Sequence, residues 1–261
     1  IKKGHVIKYR LPRNIIARMQ SLEYDRSFLA ARILLDKINA NMIISGAFGL
    51  FEKKTVIAVG GYDNSTMGED MELVVRLHEF SRMNRKPYRI RFAQDAICWS
   101  QTPEKLSELC KQRKRWQRGL FQCMWGHHKM LANPRYGAVG LLSYLYFLLY
   151  ELLSPFIELL GVLTMVLSVM MDMLNVKFML AFLACYALYG ILLTLTAYFS
   201  RIYTIDQRLS FRELILAIIA CFFETTFLRF YLLFVRVTAF VRYKKNKLNW
   251  GKLERKKMNR I

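Results

Sequence analysis

"GAVGLLSYLYFLLYELLSPFIELLGVLTMVLSVMM" fills residues 137–171 and carries only two charges, Glu151 and Glu158. A helix of roughly 20 apolar residues crosses a bilayer, so this run alone predicts a membrane segment. As one straight helix, residues 138–171 would extend about 51 Å against a hydrocarbon core near 30 Å. Pro155 is the natural break, because it lacks the N–H that an interior turn needs. The part before Pro155 reads as an interfacial helix with the Glu151 side toward headgroups or protein, and the part after it as a span.

Two further apolar runs follow. Residues 176–199 carry only Lys177 at the edge, whereas 213–241 is interrupted by Glu224, Arg229 and Arg236. The loop between them holds Arg201, Arg208 and Arg212, and the tail 242–261 sets nine basic residues against Glu254. Cytoplasmic flanks are rich in Lys and Arg, which places loop and tail on the same side. Segment 213–241 then cannot cross once, and it reads as re-entrant or interfacial, with three simple spans as the alternative.

The whole chain of 261 residues is 54% hydrophobic yet carries a net charge of +21. That charge does not point to nucleic acid, since a basic juxtamembrane tail ordinarily meets anionic lipid headgroups. The five cysteines are scattered at 98, 110, 123, 185 and 221, without a C-x-x-C pair. This excludes a disulfide framework and suits a reducing compartment. Cys123, His127 and His128 lack the second cluster that a tetrahedral metal site needs, and no metal ligands are assigned.

Upstream of Gly137 the sequence mixes charge and apolar groups as a globular domain does. Residues 11–38 have apolar positions near helical spacing. "NMIISGAFGLF" (41–51) is short and apolar, as a buried strand is, and "YRIRFAQDAICW" (88–99) alternates like a strand. A short helix from Lys53 ends at Gly60–Gly61, and an amphipathic helix occupies 68–80. Another opens at Thr102-Pro103-Glu104 and runs to about Met130. Interleaved strands and helices predict an α/β domain over 1–136, a helical membrane region over 137–241 and a basic tail.

Two constellations carry chemistry. In "GED" (68–70), two acids open a helix; one carboxylate suits a cap, the other a general base. In "QRKRWQRG" (112–119), Gln112, Arg115 and Trp116 stand at i, i+3 and i+4 and share a helix face. The bland reading is a packed Trp beside an Arg whose stem lies along the surface. The functional one uses the indole as a sugar platform and the guanidinium as a diphosphate fork.

Together, "GED" and Q-x-x-R-W ahead of membrane segments resemble the membrane-bound family-2 glycosyltransferases, among them the cellulose, chitin, hyaluronan and poly-N-acetylglucosamine synthases. "IISGAFGLFEKKTVIAVGGYD" and "GEDMELVVRLH" are similar to stretches of the bacterial poly-N-acetylglucosamine-type members. The resemblance implies the C-terminal half of a GT-A domain at the cytoplasmic face of the cell membrane. It implies transfer of N-acetylglucosamine or glucose, with inversion, from a nucleotide-diphosphate donor to a growing β-linked glycan. Asp70 would be the base, and Glu69 beside it would bind substrate. Gln112, Arg115 and Trp116 would meet diphosphate and acceptor, and Ser45 and Gly46 would lie beside the acceptor. Mg²⁺ or Mn²⁺ is expected for the family, held by carboxylates that include a D-x-D. Residues 1–67 contain no D-x-D, so the expectation is an acceptor-side half that is inactive alone. A non-catalytic membrane subunit or pseudoenzyme of a polysaccharide synthesis or export complex is the alternative.

Overall fold

A computed structural model describes residues 11–44, 46, 48–93, 96, 98, 100–205, 210–241, 243 and 248. Ser45 and nearly all of the basic tail therefore lie outside the described residues. In chain order, α1 is Ile15–Arg26, continued through a π-helical turn at Ser27–Ala31 into α2, Arg32–Lys37. Next come α3 (Lys53–Ala58), α4 (Glu69–Met83) and α5 (Leu106–Gly126). The first membrane segment alternates π-turns with short helix around α6 (Tyr144–Tyr146), then becomes α7, Ser154–Met170. The remainder is α8 (Val176–Ile205), α9 (Phe211–Phe223) and α10 (Arg229–Val237), with a π-turn at Glu224–Leu228 joining the last two.

The α/β expectation is overturned, because the described residues contain no strand and no sheet. Within 41–51 and 88–99 the described residues form an isolated bridge at Phe48 and a turn at Gly46 but no strand. Side chains take the place of a ladder. Asn39 Nδ2 donates to Tyr88 O at 3.2 Å, while Ile90 N donates to Asn39 Oδ1 at 3.0 Å. Phe92 N then donates to Asp36 Oδ1 at 2.7 Å, so alternate backbone groups of this run are satisfied from the end of α2 and the turn after it. Period-two alternation records which side chains are buried, and a backbone so satisfied needs no neighbouring strand.

The helix expected from Pro103 begins instead at Leu106, with Lys105 at its N-cap. The preceding carbonyls are committed elsewhere: Pro103 O accepts from Gln20 Nε2 at 2.8 Å and Glu104 O from Asn14 Nδ2 at 3.2 Å. Asn14 also caps α1, its Oδ1 accepting from Ile16 N and Ala17 N.

The main core joins α4, α5 and the run at 40–42 to the front of the first membrane segment, through Met42, Met71, Val75, Cys123, Val139 and Phe147. Ser143 Oγ donates to Ala40 O, Tyr144 Oη to Met124 O, and Gln117 Nε2 to Leu152 O at 3.0 Å. The helix runs on through Pro155, which sits at the start of α7 just after a π-turn, where the missing N–H costs little. Three segments, Val139–Met170, Val176–Tyr203 and Phe211–Phe240, are long and apolar enough to cross a membrane.

Helix α1 packs against α8 and α9 rather than on a sheet. Consecutive charges hold it there: Asp25 pairs with Arg201 of α8, and Arg26 pairs with Glu224 where α9 ends. Arg26 also donates to Thr194 Oγ1 at 3.0 Å. A third pair, Glu23 with Arg113 through two bonds of 2.6 and 2.5 Å, ties α1 to α5. Fork-to-fork pairing of this kind fixes orientation as well as distance.

Candidate active site

The site is built where α5 meets the start of α4. Gly68 is the N-cap of α4 and lies against Gly119 of α5. A Cβ on Gly119 would stand 2.7 Å from Gly68 N and 2.9 Å from Gly68 Cα. The absence of two side chains therefore lets the helices touch backbone to backbone. Gln122, one turn on, fastens the approach: its Oε1 accepts from Met67 N at 2.8 Å and Thr66 Oγ1 at 3.1 Å. In this way "GED" and the Gln112–Trp116 face come to the same place.

Asp70 does not cap the helix in the usual manner. Its Oδ2 accepts from Gly46 N at 3.0 Å, and its Oδ1 from Met71 N at 2.9 Å. One oxygen thus binds the loop at 46, which places Gly46 beside Asp70. Glu69 occupies the same first turn. Glu72 points away from the cleft, bonding Arg76 at 2.7 Å, and Arg76 holds Val59 O at 2.6 Å and Gly61 O at 2.7 Å. The turn at Gly60–Gly61, with φ of 88° and 74°, is anchored by that guanidinium.

A cleft of about 2570 Å³ is lined by Gly46, Glu69, Asp70, Gln112, Arg115 and Trp116, and it continues to Tyr186 and Arg229 among the membrane helices. Gln112 Oε1 is buried and has no hydrogen-bond partner among the described residues. Trp116 is 41% exposed, and the Arg113 guanidinium lies over its ring, 4.8 Å from the centroid. Arg32 lines the cleft too, stacked on Phe28 at 3.9 Å. Burial pulls its pKa down to about 10, with the charge of Asp70 acting in the opposite sense.

Of the residues singled out from sequence, Gly46, Glu69, Asp70, Gln112, Arg115 and Trp116 line this cleft, and Ser45 lies outside the described residues. The sequence reading missed Glu23, Arg113, Gln117 and Gln122, whose partners are remote in the chain. Gly119 did leave a signal. A glycine inside a helix costs about 1 kcal/mol relative to alanine, so one in the middle of a long helix marks a close approach. Burial pushes the Cys123 thiol up, which leaves it inert in the core. Among the described residues no three His, Cys, Asp or Glu side chains converge to hold a metal ion. The described residues do not by themselves make a divalent-cation site.

Residues 4–241 match the model of glycosyl transferase family group 2, and the chain belongs to that family. Over 120 residues it is 32% identical to a poly-beta-1,6-N-acetyl-D-glucosamine synthase of Staphylococcus aureus (strain COL). It is 31% identical over the same length to the protein of that name from Staphylococcus epidermidis. These alignments cover 46% of this chain and 26% of each relative, so the chain matches about a quarter of the relatives' length. No solved structure matches it.

Proposed function

We propose that the chain forms the acceptor side of an inverting glycosyltransferase that extends a β-linked glycan, with N-acetylglucosamine or glucose as the transferred sugar. N-acetylglucosamine is favoured by the names of the relatives. The observation that carries the reading is the Gly68–Gly119 contact, which brings Asp70 and the Gln112–Trp116 face into one cleft.

The chemistry follows from those groups. A sugar hydroxyl is a poor nucleophile until its proton is accepted in the transition state, and the Asp70 carboxylate takes it. The hydroxyl oxygen bonds to the anomeric carbon, and the bond from that carbon to the nucleotide diphosphate breaks on the opposite face. The leaving group departs with the electron pair, and the Arg115 guanidinium meets its growing charge. Gly46 N holds one carboxylate oxygen of Asp70 and fixes its direction. Trp116 stacks on the acceptor sugar, and buried Gln112 Oε1 accepts from a ligand hydroxyl. Mg²⁺ or Mn²⁺ would accompany the donor diphosphate. The cleft faces the cytoplasm, with anionic headgroups beside the basic flanks.

The test uses the full-length enzyme in membranes. Asp70→Asn keeps shape and accepts no proton, so turnover should fall roughly 10²–10⁴-fold with donor KM nearly unchanged. A variant that expresses and melts like the parent yet makes glycan at the parental rate would remove Asp70 as the base.

A further inference from the structure

The geometry points to Tyr24 as a second sugar-contacting ring beside Trp116, held in place by the ion pairs on either side of it. This deepens the acceptor reading above and rests on it. Tyr24 lines the cleft, and its ring centroid is 6.4 Å from that of Trp116 with the planes tilted by 43°. Two rings at that spacing and tilt form an open corner rather than a closed stack, and a corner of this kind takes the apolar face of a pyranose. One turn on, Phe28 meets Tyr24 edge-on at 6.2 Å, and Arg32 lies over Phe28. Tyr24, Phe28 and Arg32 therefore form a stripe along the cleft, from Trp116 toward the end whose field reaches Asp70. Rings followed by a cation suit a chain of sugars leading to a charged leaving group.

What sets Tyr24 apart from an incidental aromatic is its support. Glu23 pairs with Arg113, and the same Arg113 lies over Trp116, so one guanidinium fixes both walls of the corner. Asp25 and Arg26 bind Arg201 and Glu224, which prevents α1 from rolling. Burial pushes the Tyr24 phenol up to about 12, with Arg113 opposing, so the hydroxyl stays protonated and can donate to a sugar oxygen. Long charged side chains without this bracing would lose most of their gain to entropy. Here each of the three is at least two-thirds buried.

The experiment compares the full-length parent, Tyr24→Ala, Tyr24→Leu, Tyr24→Phe and Trp116→Ala, with UDP-N-acetylglucosamine as donor and a β-1,6-linked N-acetylglucosamine oligomer as acceptor. Tyr24→Ala and Tyr24→Leu should raise acceptor KM roughly tenfold, the loss of one stacked ring, with donor KM and melting temperature unchanged. Tyr24→Phe should recover most of it. The Leu variant guards against a folding failure in Ala. If Trp116→Ala raises acceptor KM and the Tyr24 variants leave it parental, Tyr24 is not a contact and the proposal falls alone. If Trp116→Ala also leaves it parental, the acceptor reading of the cleft fails and the proposal falls with it. A joint rise in both KM values with a lower melting temperature would make Tyr24 a packing residue, which also overturns it.

Discussion

Gly119 shows how little a single residue needs in order to decide a site. Its missing Cβ is what allows Gly68 N to approach the helix backbone. The obstructing atoms are main chain, so no rotamer change can relieve Gly119→Ala, and the two helices must part. Overpacking of this type costs about 1–3 kcal/mol, and the base would separate from its partners. We expect Gly119→Ala to lower the melting temperature and to reduce transfer at least tenfold. Gly126, in the same helix with open space around it, is the control, and Gly126→Ala should be neutral in both assays. Parental behaviour of Gly119→Ala would mean that α4 and α5 do not touch in the enzyme.

At the level of elements, α4 and α5 are joined a second time. His127, just beyond α5, meets Glu79 at 2.8 Å and Glu72 at 3.4 Å. Burial works against its charge, but hydrogen bonds to the two carboxylates outweigh it and raise its pKa above 6.5. A raised folded value contributes stability that is complete below the unfolded pKa and fades as pH rises through the folded one. His78, between Tyr88 Oη at 2.6 Å and Asn41 O at 2.7 Å, has the opposite sign. Burial lowers it to about 4, so its contribution is present above 6.5 and lost as pH falls toward 4. Melting curves of His127→Gln should therefore lie below the parent at pH 6 and approach it in alkali. An equal gap at both ends would mean that the imidazole is not charged in the fold. These contacts also define what the sequence could reveal. Helical periodicity located α4, and residue type at helical spacing located Gln112, Arg115 and Trp116, because those signals are local. The runs at 41–51 and 88–99 were legible only as apolar or alternating patterns, and Phe48 and Leu50, expected in a buried strand, are exposed. The partners of residues 88–92, Asp36 and Asn39, come from elsewhere in the chain, and no spacing rule connects Phe92 to Asp36 or Arg113 to Glu23.

Over the whole molecule, the third apolar segment has the length to cross a bilayer but runs beside the charged helix. Arg118 Nε donates to Ala239 O at 2.9 Å, Arg236 Nε to Gln117 Oε1 at 2.8 Å, and Tyr231 Oη to Leu106 O at 3.4 Å. α10 therefore lies along α5, and we expect both ends of the segment on the cytoplasmic side. In a cysteine-free background, a membrane-impermeant maleimide added outside should label a cysteine introduced at Met173 and fail at Arg208 and Lys245. External labelling at Lys245 would make the segment a true crossing.

The pairs that hold α1 also bear on biogenesis. The ribosome makes Asp25 and Arg26 first, and the helices carrying Arg201 and Glu224 more than 170 residues later. Glu224 lies inside an apolar segment long enough to cross a membrane, where lipid tolerates a charge poorly, and Arg201 lies at the end of another. Until α1 arrives, that charge must stay near water or headgroups, and the helix cannot settle at its final depth. We expect insertion of the apolar helices and docking of α1 to finish together. A chain that has not closed displays mispaired charge in its membrane part, the kind of flaw by which quality control distinguishes an unfinished membrane protein from a finished one.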